Sequence, residues 1–74
     1  MIRFVFVKLR GKLRDTKVKV FYEPDNRVTD IIKFIKTNLG PYRTMTFPPN
    51  DTDYTQEDLT RAKEAGRFIG NKQQ

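Results

Sequence analysis

Residues 2–9 form a run dominated by β-branched and aromatic side chains, with Lys8 near its end. Such a run predicts a strand that is apolar on both faces and sits inside a sheet. Arg10-Gly11-Lys12 is a turn signal, after which residues 17–22 alternate polar and apolar, as a strand solvated on one side does. The two strands are expected to form a hairpin. Pro24, Asp25 and Asn26 end the second one, because proline donates nothing to a ladder and Asp and Asn favour turns.

The period then changes. Val28, Ile31, Ile32, Ile35 and Leu39 recur at helical spacing, Asp30 suits the positive end of a helix dipole, and Gly40-Pro41 is a stop signal, so a helix is predicted over 28–39. Residues 43–47 read as a short third strand closed by Pro48-Pro49. Thr55 is placed to cap a second helix running to Ala65, with Gly66 beyond its end, and residues 67–69 can add a last short strand. The expected architecture is α+β, a ββαβ unit with a short second helix, in one domain over residues 1–70 with a disordered tail over 71–74. The first helix should bury Ile31, Ile32, Ile35 and Leu39 against Val5, Val7, Val18 and Val20. Phe4 and Phe6 then lie on the opposite face of the first strand, as a satellite core under a loop or as a recognition patch, the former being commoner.

Length and composition narrow the function. A chain of 74 residues buries only about 60% of its unfolded surface, which leaves little room for a catalytic cleft with its own supporting shell. With no cysteine and no histidine, disulfides, thiolate nucleophiles, Cys/His zinc sites and the commonest general base are all excluded. The acidic residues Asp25, Asp30, Asp51, Asp53, Glu57 and Asp58 include no pair whose spacing compels acid–base chemistry, and Asp51-Thr52-Asp53 lacks the downstream glycine and glutamate of a calcium loop. Gly11, Gly40, Gly66 and Gly70 are isolated, with no phosphate-cradling pattern. A non-enzymatic chain without cofactor or metal is therefore expected. No apolar run approaches the ~20 residues of a membrane span, and Met1 leads into a strand rather than a signal peptide. The expected setting is a soluble monomer inside the cell, in the cytoplasm or nucleus.

The formal net charge of +6 is concentrated at one end: Arg3, Lys8, Arg10, Lys12, Arg14, Lys17 and Lys19 face Asp15 alone within residues 1–20. Arg10, Lys12, Arg14, Lys17 and Lys19 are thus candidates for contact with nucleic acid or an acidic protein face. Interleaved Phe4, Phe6, Phe21 and Tyr22 add the aromatic component that single-stranded nucleic acid uses. Lysines that keep an edge hairpin soluble are the plainer account.

The order of elements, with Phe6-Val7-Lys8, Gly11-Lys12 and Glu23-Pro24 in the opening hairpin, resembles the ubiquitin-like β-grasp family. Within it, Arg27-Val28-Thr29-Asp30-Ile31-Ile32-Lys33-Phe34-Ile35, then Thr46-Phe47-Pro48, then Glu64-Ala65-Gly66, is similar to the UBX domain, and Lys8 stands where that family places an arginine. The resemblance implies a protein-binding adaptor whose partner is the N-terminal domain of a hexameric AAA ATPase, engaged by Lys8, Phe47, Pro48 and Pro49. It also implies that the end of the first strand and the turn after the third lie on one side of the sheet. A basic nucleic-acid-binding protein, or a viral or phage inhibitor or assembly subunit acting through the hairpin, is the alternative. An aromatic held by a following proline loses little entropy on docking, which suits Phe47 to be an anchor.

Overall fold

The computed structural model describes residues 1–70, so the expected tail over 71–74 lies outside the described residues. Strand β1 (Arg3–Leu9) pairs antiparallel with β2 (Thr16–Tyr22), placing Phe4 opposite Phe21, Val5 opposite Val20, Phe6 opposite Lys19, Val7 opposite Val18 and Lys8 opposite Lys17. Because successive side chains alternate in direction, this register sorts the hairpin into a valine face and an aromatic, basic face.

Helix α1 (Val28–Phe34) covers the valine face and continues into a π-helical turn over Ile35–Leu39, closed by the Gly40 amide donating to the Ile35 carbonyl at 2.8 Å. Its start is fixed by the Asp30 carboxylate, which accepts from the Arg27 amide at 2.8 Å. Gly40 ends it at φ 105°, a conformation that disfavours any side chain. Ile31 and Ile35 are buried with Val5, Val7, Val20 and Tyr22, while Leu39 and Val18 pack against that cluster from its edge. Ile32 departs from expectation. It is only half buried and lies outside the cluster, facing Thr29, Lys33 and Lys36. One residue on from Ile31 is about 100° around a helix of 3.6 residues per turn, so with Ile31 and Ile35 aimed at the sheet, Ile32 points to the flank. Val28, on the same side of the helix as Ile35 but at its first position, is 51% exposed.

Strand β3 (Tyr42–Thr46) pairs antiparallel with β1 on the side away from β2, one residue earlier at each end than expected. Helix α2 (Gln56–Glu64) follows, with Thr55 as its N-cap: its hydroxyl accepts from the Asp58 amide at 3.1 Å. The last strand β4 (Phe68–Ile69) runs parallel to β2, giving the sheet order β3-β1-β2-β4. The result is a four-stranded mixed sheet with two helices, an α+β fold. Helix α2 lies over the aromatic face and builds a second core there from Phe4, Phe21, Leu59 and Ala62, with Phe6, Tyr54 and Phe68 packed around it. Edge-on ring contacts tie Tyr54 to both Phe4 and Phe21, and its hydroxyl donates to the Ile2 carbonyl at 2.7 Å.

Candidate functional site

Helix α2 has only nine residues, too few to cover the whole face on which it lies. It shelters Phe4 and Phe21 and leaves the remainder of that face open. Phe6, Lys8 and Lys17 occupy the open part together with Thr44 and Thr46, the β3 partners of Lys8 and Phe6, and these side chains line a shallow hollow. The Phe4–Phe6 pair is therefore divided: Phe4 is core, and Phe6 is half buried at the boundary, its ring edge-on to Phe4 with centroids 5.3 Å apart. The Lys17 ammonium lies 4.5 Å from the centroid of the Phe6 ring, a cation–π contact.

The placement of charge sets this region apart. Lys19, expected to act with the other hairpin cations, is instead bonded to Asp58 of α2 at 3.1 Å and rests over Phe4. That bond, with the Thr55 amide next in effect, holds the Asp58 carboxyl below its ordinary range. Asp15, the acid within the basic hairpin, is taken by Arg43 at 2.7 Å. Arg43 comes from β3, at the register shift where β1 passes from Lys8 opposite Thr44 to Leu9 opposite Tyr42. A bulge re-aims the side chain of the extra residue, and here it carries a cation to Asp15. Arg3 pairs with Asp51, and Arg61 with Glu57. Among the described residues, then, no ion pair reaches Lys8, Arg10, Lys12, Arg14 or Lys17. Lys8 and Lys17 moreover stand directly opposite each other, an arrangement that is unfavourable unless an anion is added.

Arg10, Lys12 and Arg14 extend the same charge around the hairpin loop, and Arg10, Lys12 and Arg43 line an open depression beside Pro41. At the tip between Lys12 and Arg14, Leu13 is 98% exposed. Sequence reasoning passed over Leu13, although an apolar residue within a basic turn was the available signal.

The turn after β3 leaves Phe47 exposed at 44%, with Pro48 half buried and Pro49 exposed. It does not meet Lys8. Since β3 runs antiparallel to β1, its end approaches the start of β1: Thr46 lies beside Phe6, whereas Lys8 lies beside Thr44. Phe47 is three residues along from that partner, about 10 Å at 3.3 Å per residue. The pairing thus sets Phe47 and Lys8 at different levels of the β1–β3 ladder.

No family model, curated protein or solved structure matches this chain. Among the described residues there is no cluster of three or more acidic side chains arranged to hold a metal ion and no helix long and apolar enough to cross a membrane. What the arrangement offers chemically is an open surface of cations, hydroxyls and one aromatic ring.

Proposed function

We infer that the chain is a non-catalytic binding module that engages a polyanionic partner through the open half of its sheet and the adjoining hairpin. The observation that carries this reading is the Lys8–Lys17 pair, two cations held face to face and without an acidic partner among the described residues, in a chain whose other sheet-face lysine, Lys19, has one. Keeping like charges opposed costs stability, and an anionic partner would turn that cost into affinity. Leu13 at the loop tip offers an apolar contact beside the charges.

The test uses immobilised polyglutamate and, separately, an immobilised oligothymidylate 15-mer. Wild type should bind at least one of them at low salt, and the Lys8→Glu/Lys17→Glu double variant should bind neither. Failure of wild type to bind either polyanion would sink the reading.

A second reading follows the resemblance to ubiquitin-like β-grasp proteins and UBX domains. Its support is the opening hairpin, the helix packed across one face of a mixed sheet, and the exposure of Phe47 in a proline-flanked turn. On this reading Phe47, Pro48 and Pro49 form an anchor for the N-terminal domain of an AAA ATPase, with Lys8 as the accompanying cation. Titration of that purified domain with wild type and Phe47→Ala decides it. An anchor of this kind contributes about 2 kcal/mol or more, so equal affinities would exclude it.

A further inference from the structure

The geometry points to single-stranded nucleic acid as the polyanion, with Phe6 as a base-stacking platform; this inference rests on the anionic-partner reading above and makes it specific. An acidic peptide needs cations and nothing more. A single strand needs cations for its phosphates and a flat ring for its bases, and here the ring lies among the cations. Phe6 sits on the open sheet face, edge-on to Phe4 beneath α2, so its orientation is set by the second core while one side remains reachable.

The Lys17 ammonium lies over the ring at 4.5 Å. Lysine carries its charge on a flexible four-carbon stem, so the ammonium can leave the ring for a phosphate as a base takes its place. Lys8 opposite Lys17 supplies a second phosphate contact, and the hydroxyls of Thr44 and Thr46, both exposed, supply hydrogen-bonding groups at the rim. The strand's path continues onto Arg10, Lys12 and Arg14, which no ion pair among the described residues engages. A duplex fits less well, because its bases are stacked on one another and present no free face to Phe6.

The experiment measures fluorescence anisotropy of a labelled oligothymidylate 15-mer against wild type, Phe6→Leu and Lys8→Gln/Lys17→Gln, with polyglutamate and a 15-base-pair duplex as competitors. Wild type should bind with a log–log salt slope steeper than about −2, at about −0.7 per phosphate neutralised. Phe6→Leu keeps an apolar side chain but removes the ring, and should raise Kd on the order of tenfold with an unchanged salt slope. The lysine variant should reduce the slope.

Circular dichroism checks that Phe6→Leu is folded. Independently of any variant, the Phe6 ring protons of wild type should move upfield in the NMR spectrum as oligothymidylate is added. Absence of that movement, or equal binding by a folded Phe6→Leu, would overturn the stacking platform. Binding of polyglutamate but not of oligothymidylate would overturn the nucleic-acid assignment and leave the anionic-partner reading in place. Binding of neither would remove both.

Discussion

Lys8 stands directly opposite Lys17 across the β1–β2 ladder, on the face that α2 leaves uncovered. Opposed side chains in an antiparallel pair have Cβ atoms about 5 Å apart, and converting a like-charged pair to an opposite one is worth about 0.2–1 kcal/mol. Lys8→Glu should therefore raise stability by about that amount in urea denaturation at low salt, with the gain shrinking at high salt. The same change should weaken polyanion binding. A variant at once more stable and less able to bind is the expected mark of a position kept for contact rather than for folding.

Ile35 is fully buried whereas Ile32 lies at the flank of the same helix. Ile35→Ala should cost about 2–5 kcal/mol, much of the total stability of a small domain. Ile32→Ala should cost markedly less. Thermal melts of the two variants, run side by side, check the orientation of α1; equal losses would contradict it.

Asp58 links the two ends of the fold, accepting from Lys19 of β2 and from the Thr55 amide at the cap of α2. Its carboxyl titrates below the usual range of about 4, chiefly because of the Lys19 hydrogen bond and next because of the Thr55 amide. A carboxyl depressed in the native state stabilises the fold at pH values above its unfolded pKa, and that contribution is lost as pH falls through the native one. Asp58→Asn should accordingly lower the melting temperature at neutral pH. The gap from wild type should begin to close below about pH 4.

A side chain at Gly11 would place its Cβ on the Arg14 carbonyl oxygen. Gly11→Ala should thus disturb the loop that presents Lys12 and Arg14, at a cost of about 1 kcal/mol or more. The resonances of residues 10–15 should shift while those of Ile31 and Ile35 stay in place, a comparison made by amide NMR.

The elements whose signals are local were legible in the chain itself. The strand over residues 17–22, helical spacing from Ile31 to Leu39, the Thr55 cap and the stop at Gly40 each depend on neighbours within a few residues, and each is found, although the strand expected to be solvated on one side is buried on both from Val20 to Tyr22 because α2 covers Phe21. The pairing of strands depends on contacts distant in sequence and was not legible to the same degree. Nothing near Phe47 reveals that β3 lies antiparallel beside β1, with Thr46 at Phe6 and Thr44 at Lys8. The capture of Lys19 by Asp58, 39 residues away, could not be read from charge alone. Phe4 and Phe6 share a face as alternation requires, yet only the short reach of α2 decides that one is core and the other open.

The two cores lie on opposite faces of one sheet, and the segments that complete them are made at different times. Residues 1–46 contain β1, β2, α1 and β3, everything the valine cluster requires apart from the edge contact of Ile69. The lid over Phe4 and Phe21 comes only with Tyr54, Leu59 and Ala62. In a folding chain whose first 46 residues have come together, the aromatic face would stay bare until α2 docks. The charges beside that surface, Lys17 and Lys19 above all, would then guard a sticky intermediate against its neighbours, a task finished before the mature protein meets any partner.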